Sequence, residues 1–153
     1  MRVTESIEIP APPELVFPHV ARLDAYPAWL RLVHDVELID EDPIPTWHVE
    51  LRARVGPFAR SKRLTMERIE VKENQLAVYE RAETDKRDHA RWALRAELEP
   101  RGANATTLTM HLAYDGGLWS GGVLEKVLDE EIRRGREGLV ALLSLDPPIG
   151  SSR

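Results

Sequence analysis

Between residues 33 and 114, apolar and polar side chains alternate in one segment after another, and the one long helical pattern follows them. In residues 47–55 every second side chain is apolar, from Trp47 to Val55, and residues 90–98 repeat the pattern. Such alternation gives a strand one dry and one wet face, as in an antiparallel sheet covered on one side. Another part of the chain must therefore cover the dry face.

Short turns join the alternating segments, which predicts an antiparallel meander. The predicted strands are seven in number and span residues 3–9, 33–39, 47–55, 58–71, 75–83, 87–99 and 106–114. Two short helices are expected after the first strand. Pro13 can open one of them, which Pro18 shortens or kinks, and Asp24 is predicted to cap the other.

The last apolar segment, residues 118–143, is expected to cover the dry face of the sheet. Its apolar side chains recur at helical spacing with charged residues between them. A helix of this length is about 39 Å long, enough to lie across the sheet. These patterns predict an α+β fold with a single domain over residues 1–145 and a flexible tail over residues 146–153.

Composition excludes several classes of site. The chain has no cysteine, so disulfides, thiolate zinc sites and cysteine nucleophiles are ruled out. The net charge of −5 disfavours nucleic acid as a partner. The basic run from Arg52 to Arg68 is accompanied by Glu50, Glu67 and Glu70, which can pair with it across strands. No integral membrane segment and no apolar leader is apparent. A cytoplasmic location is the expectation.

No motif for metal or cofactor chemistry is present. The five histidines, at positions 19, 34, 48, 89 and 111, include no pair at helical i, i+4 spacing, so no metal site is expected. Ser120 lies among glycines but lacks the spacing of a nucleophile elbow. No phosphate-binding loop or dinucleotide fingerprint occurs, and no cofactor is expected.

Two local segments resemble a known superfamily. Residues 6–17, Ser-Ile-Glu-Ile-Pro-Ala-Pro-Pro-Glu-Leu-Val-Phe, look like the opening strand, Ala-Pro turn and first helix of the START / polyketide cyclase (SRPBCC) superfamily. Residues 24–30, Asp-Ala-Tyr-Pro-Ala-Trp-Leu, are similar to its second helix. The resemblance implies a helix-grip fold, in which a curved seven-stranded sheet wraps around the long C-terminal helix. It also implies a cavity for a hydrophobic molecule.

The residues expected to bind the ligand combine the inward parity of the strands with the inner face of the helix. They are Trp29, Trp47, Val49, Leu51, Leu64, Met66, Val78, Glu80, Arg81, Trp92, Leu94, Met110, Leu112, Leu128, Ile132 and Gly135.

The sequence around Val78 does not show which face of this strand points inward. Either Leu76, Val78 and Glu80 point inward, or Ala77, Tyr79 and Arg81 do. The first arrangement buries a carboxylate, and the second offers a hydroxyl and a guanidinium to a ligand. Glu131 and Arg134 border the inner stripe of the helix and can contribute in the same way.

Three functions are consistent with these patterns. The nearly apolar inward set favours binding or transport of a hydrophobic small molecule, such as a lipid, a polyketide or an isoprenoid-like compound. The resemblance also implies, as an alternative, a polyketide cyclase, aromatase or dehydratase, and a third alternative is a protein-interaction module of the same fold. Polar side chains meeting in the cavity would favour the enzyme, and a filled core the interaction module. Whether the chain is an enzyme stays open, as does a homodimer.

Overall fold

A computed structural model of the protein describes residues 2–83, 91–115 and 123–145. Seven strands form one sheet. They are β1 (Arg2–Ile9), β2 (Val33–Asp40), β3 (Thr46–Val55), β4 (Phe58–Lys72), β5 (Leu76–Arg81), β6 (Trp92–Pro100) and β7 (Thr106–Tyr114). Every neighbouring pair is antiparallel, and the spatial order is β1-β7-β6-β5-β4-β3-β2. The meander predicted from the alternation is confirmed, with β1 returning to pair with β7.

The register of β6 shows that period-two alternation identified the inner face correctly. Trp92 and Leu94 are buried, whereas the side chains of Arg91 and Arg95 are about half exposed, at 56% and 46%. A shift of one residue would expose the apolar set and bury the arginines, so burial of one face fixes the register.

The segment between β1 and β2 contains three short helical pieces. They are α1 (Pro13–Val16) and two 3₁₀ helices, Phe17–His19 and Leu23–Ala28. The change from α to 3₁₀ geometry coincides with Pro18, which has no N–H to donate and limits the helix as predicted. The prediction that Asp24 caps the second helix is wrong. This helix begins at Leu23, so Asp24 lies within its first turn and pairs with Arg22 at 3.2 Å.

The long helix α2 (Val123–Leu145) packs against the sheet. Its residues Leu128, Ile132 and Leu139 are buried. Arg133 donates to the carboxylate of Glu5 at 2.9 Å, so α2 is also tied to the edge strand β1. The helix-grip architecture is thereby confirmed. The predicted helix start at Leu118, the loop at residues 84–86 and the tail at residues 146–153 lie outside the described residues.

No helix in the described part of the chain is both long and apolar enough to span a membrane.

Candidate functional site

A small cavity lies on the inner face of the sheet, closed by α2 and by residues 29–32, which we call the closing segment. Its volume is about 40 Å³. The described residues that line it are all apolar, namely Leu23, Leu30, Leu32, Val33, Val49, Leu51, Leu64, Met66, Trp92, Leu94, Met110, Leu112 and Ile132. One lining residue, Trp92, has a buried indole N–H that donates to no described residue. The cavity is therefore an apolar site, and one of the residues that line it has an unused hydrogen-bond donor.

Nine of the residues predicted to bind a ligand line this cavity. They are Val49, Leu51, Leu64, Met66, Trp92, Leu94, Met110, Leu112 and Ile132. The structure thus brings together predicted residues from four strands and the helix. Their contact with a ligand remains a prediction.

Four other predicted residues lie in the core and do not border the cavity. Trp47 is fully buried and meets Tyr79 edge-to-face, with ring centroids 5.9 Å apart. Leu128, a residue of α2, is buried. Trp29 and Gly135 pack against each other at the start of the closing segment. These residues support the site and do not face into it.

The structure settles which face of β5 points inward. Tyr79 is fully buried and contacts Trp47, and Arg81 on the same face has a side chain only 8% exposed. Val78 and Glu80 therefore point to the outer face, where Glu80 approaches Arg91 at 3.9 Å. Including Val78 and Glu80 among the ligand-binding residues was wrong, because the inner face of β5 belongs to the odd-numbered residues.

Two tyrosine hydroxyls meet at one carbonyl beside the core. Tyr26 donates to the carbonyl oxygen of Val20 at 3.0 Å, and Tyr79 donates to the same oxygen. Burial raises the pKa of Tyr26 and of Tyr79 above the usual value for tyrosine. Both hydroxyls hold the helical segment onto the sheet. They remain protonated donors at neutral pH and are poor candidates for acid–base chemistry.

The neighbouring carbonyls are fixed in the same way. Arg68 on β4 donates to the carbonyl of Ala21 at 2.6 Å, and the indole of Trp29 donates to the carbonyl of His19 at 2.9 Å. Three successive carbonyls therefore anchor the turn that precedes the closing segment.

The closing segment touches α2 at two glycines. A Cβ atom on Gly135 would lie 3.0 Å from Leu30 Cδ1 and 3.1 Å from the Trp29 ring, and one on Gly138 would lie 2.8 Å from the Trp29 carbonyl oxygen. Of the two explanations for glycines in this helix, close packing or room for a ligand, these contacts favour close packing. Residues 29–30 already occupy the space above Gly135.

A partly buried ion pair also joins the closing segment to α2. We call this contact between the closing segment and α2 the seam. Arg31 Nε and a terminal nitrogen each donate to Glu131 of α2 at 2.9 Å. The Glu131 side chain is only 10% exposed, whereas Arg31 is 65% exposed. Glu131 was predicted to border the inner stripe of the helix, but it binds the protein's own arginine.

At the far end of β5, Arg81 donates to Glu83 Oε1 at 2.9 Å, and the backbone N–H of Thr65 donates to the same oxygen at 2.7 Å. Burial raises the pKa of Glu83, but these two hydrogen bonds outweigh it and hold the pKa below its usual value. Glu83 is therefore a carboxylate at neutral pH. The side chain of Arg81 points inward, but it is already hydrogen-bonded to Glu83.

Other depressions lie on the outer face of the sheet. One of about 920 Å³ is bordered by polar side chains that include Lys72, Arg95 and Glu99. It is open to solvent, whereas small-molecule sites are concave and mostly apolar. Within the described ranges, no cluster of histidine and acidic side chains could hold a metal ion. We therefore place the candidate site at the small inner cavity.

Sequence reasoning missed four lining residues. Leu23 begins the second 3₁₀ helix, Leu30 and Leu32 follow that helix, and Val33 begins β2. Residues 31 and 32 lie in a turn, in which the N–H of Val33 donates to the carbonyl of Leu30. A turn has no hydrophobic periodicity, so the sequence pattern gave no signal for Leu30 and Leu32.

The geometry matches a known family. Residues 1–144 fit the family model described as polyketide cyclase / dehydrase and lipid transport. The chain belongs to this family. The match covers every described strand and nearly all of α2, so it includes all the elements that enclose the cavity.

Solved structures share the fold at low sequence identity. A START superfamily protein from Mycobacterium smegmatis is 17% identical with a TM-score of 0.73, covering 94% of this chain and 97% of that one. The Zhui aromatase/cyclase from Streptomyces sp. R1128 is 14% identical with a TM-score of 0.73, covering 100% and 99%. A protein from Thermus thermophilus is 18% identical with a TM-score of 0.70, covering 94% and 99%. No curated protein matches the chain significantly.

Proposed function

We propose that this protein binds and carries a hydrophobic small molecule, such as a lipid or a polyketide, between the sheet and α2. The observation that carries the proposal is the fully apolar lining of the inner cavity, built from five strands, the closing segment and α2. Burying apolar ligand surface there contributes roughly 25 cal/mol per Å². The family includes lipid transport in its description, which agrees with carriage of a ligand.

A cyclase or dehydratase remains the second candidate, because the Zhui aromatase/cyclase has a similar fold. Enolisation of a ketone requires a base within hydrogen-bond reach and a donor for the developing charge. No titratable side chain lines the cavity within the described residues. The buried hydroxyls of Tyr26 and Tyr79 are committed to the Val20 carbonyl. Fold similarity alone does not transfer an activity, so we favour binding over catalysis.

An interaction module is the third candidate, and the small cavity volume favours it. A space of about 40 Å³ is far below the ~300–1,000 Å³ of ordinary ligand sites. Ligand binding therefore requires residues 29–31 and α2 to move apart. A protein that never opens would fit the interaction module better.

Thermal unfolding with and without the neutral apolar dye N-phenyl-1-naphthylamine distinguishes the candidates. We expect the dye to bind and to stabilise the protein, by about 2.7 kcal/mol at 100 times its dissociation constant. Native mass spectrometry of the purified protein should also show a co-purified apolar compound. Dye binding without stabilisation would contradict the proposal, because it would report a surface or unfolded form.

A pair of matched variants localises the binding. Val49→Phe fills the cavity and should abolish dye binding at a cost of about 1–3 kcal/mol in stability. Val71→Phe makes the same change at a residue of β4 that is 44% exposed, and it should bind the dye like the wild type. If Val49→Phe folds and binds the dye as before, the ligand lies elsewhere and the proposal fails.

A further inference from the structure

The inner face of β4 changes from apolar to basic at the edge of the cavity. Met66 and Leu64 line the cavity, and the alternation of the strand places Lys62 next on the same face. Lys62 is also directly opposite Leu51 of β3, another lining residue. Lys62 therefore lies on the inner face directly beside two residues that line the cavity.

Lys62 has no ion-pair partner within residues 2–83, 91–115 and 123–145. Its side chain is half-buried and makes no hydrogen bond or ion pair with any described residue. Burial lowers the pKa of Lys62, and the positive charge of Arg81 lowers it further. Glu83 is the nearby acid, but its carboxylate is already held by Arg81 and by the Thr65 N–H. Leaving an ammonium partly buried and unpaired costs free energy, which a bound anion would recover.

The surrounding hairpin carries an excess of positive charge. Residues 51–63 contain five basic side chains and no acidic one, although the whole chain has a net charge of −5. Arg52 and Arg63 share Glu50 as their ion-pair partner, at 3.3 and 3.7 Å. This concentration of charge at one end of the sheet attracts anions toward the edge of the cavity where Lys62 lies.

We propose that the ligand is an apolar molecule with a single carboxylate head group, its tail in the cavity and its carboxylate on Lys62 Nζ. The assignment rests on the proposed function, because it needs an apolar tail to occupy the cavity. One ammonium matches one monoanion, and charge-assisted N–H···O bonds of this kind are among the strong hydrogen bonds.

Displacement of N-phenyl-1-naphthylamine by decanoate and by 1-decanol tests the assignment at neutral pH. The two competitors share one tail and differ in charge at the head. Decanoate should displace the dye from the wild type at about tenfold lower concentration, as expected for one hydrogen bond to a charged group. Lys62→Met should remove this preference and leave displacement by 1-decanol unchanged, and Lys62→Arg should keep the preference.

Arg54→Met is the matched control, since it removes one positive charge from the outward face of the same hairpin. It should leave the preference for decanoate nearly intact. Lys62→Gln provides a second test if Lys62→Met does not fold.

The two proposals fail in different ways. If 1-decanol and decanoate displace the dye equally from the wild type, or if the preference survives Lys62→Met or Lys62→Gln, the head-group assignment is wrong and the apolar site stands. If the dye binds to the wild type in neither assay, the proposed function fails, and the head-group assignment fails with it.

Discussion

At the scale of single residues, two tyrosine hydroxyls fix the backbone next to the site. Tyr26 and Tyr79 come from the second 3₁₀ helix and from β5, yet both donate to the carbonyl of Val20. Their rings also meet edge-on, with centroids 6.1 Å apart. A buried carbonyl with two donors is fully satisfied, so this contact fixes the turn that leads into the closing segment.

Stability at alkaline pH should depend on this pair. An unfolded tyrosine ionises near pH 10, whereas burial raises the folded pKa of Tyr26 and Tyr79 above that value. Their stabilising contribution is therefore complete below pH 10 and is lost as the pH rises from there toward the folded pKa. Tyr79→Phe should be less stable at neutral pH by about 1 kcal/mol, but it should lose less stability above about pH 10.

Urea unfolding midpoints from about pH 8 to about pH 11 check this expectation. The charged groups that face Tyr79, Arg68, Asp24 and Arg22, are the same in both proteins. Lys62 is unchanged too, so its titration cancels in the comparison. Parallel loss of stability in the variant and the wild type above pH 10 would show that Tyr79 does not titrate differently on unfolding.

At the scale of elements, the approach of α2 to the closing segment is limited by backbone contact. Gly138→Ala would place a Cβ atom 2.8 Å from the backbone carbonyl of Trp29, which cannot move alone. The steric cost of about 1–3 kcal/mol is offset in part by the ~1 kcal/mol that alanine adds to helix stability. We therefore expect a net loss of up to about 2 kcal/mol in the free energy of unfolding.

Gly135→Ala is the control for Gly138→Ala. Its nearest neighbours are side-chain atoms, a terminal methyl of Leu30 at 3.0 Å and the Trp29 ring at 3.1 Å, which can shift more easily than backbone, so we expect a smaller loss of stability than for Gly138→Ala. Chemical denaturation of both variants measures the difference. Equal stability of the two would mean that the backbone contact at Gly138 does not limit packing.

The ion pair between Arg31 and Glu131 should contribute more to the free energy of unfolding than an exposed pair does. Arg31→Met keeps the aliphatic stem but leaves the carboxylate of Glu131, with its side chain 10% exposed, without its bidentate partner. We expect a loss of about 1–2 kcal/mol, discounted because Arg31 is largely in solvent. Arg95→Met breaks an outer-face pair in which both side chains are over 40% exposed, and it should cost less than about 1 kcal/mol. Urea denaturation that ranks the two variants in the opposite order would contradict this assignment.

Local pattern predicted the strands that have one apolar face, and it failed where the deciding contact is remote. Trp92 and Leu94 alternate with arginines, so their orientation follows from the sequence alone. On β5 both faces carry apolar residues. Tyr79 points inward because its ring packs against Tyr26 and Trp47, which belong to other elements. Likewise, the reason for Gly138 lies more than 100 positions away, at Trp29. Such contacts leave no periodicity in the sequence.

At the scale of the whole molecule, the parts around the cavity differ in how freely they can move. The strands that line it belong to one continuous hydrogen-bonded ladder, from β2 through β7. Residues 29–31 and α2 stand outside that ladder and contact each other, whereas the carbonyl of Leu32 accepts a hydrogen bond from the backbone N–H of Arg52 on β3. Because a packed sheet resists expansion, we expect the cavity to enlarge by separation of these two parts.

A covalent bridge across the seam tests this expectation. The chain has no cysteine, so Arg31→Cys with Glu131→Cys introduces a unique pair of thiols for a short bismaleimide. Bridging should slow association of N-phenyl-1-naphthylamine by about tenfold or more, because it depletes the open form, and the unbridged double variant should bind at least as fast as the wild type. The same bridge between cysteines at Glu99 and Arg101, an exposed pair on the β6–β7 hairpin, should have no effect. Stopped-flow fluorescence measures the rates. Equally fast binding in the protein bridged between positions 31 and 131 would place the opening in another part of the molecule.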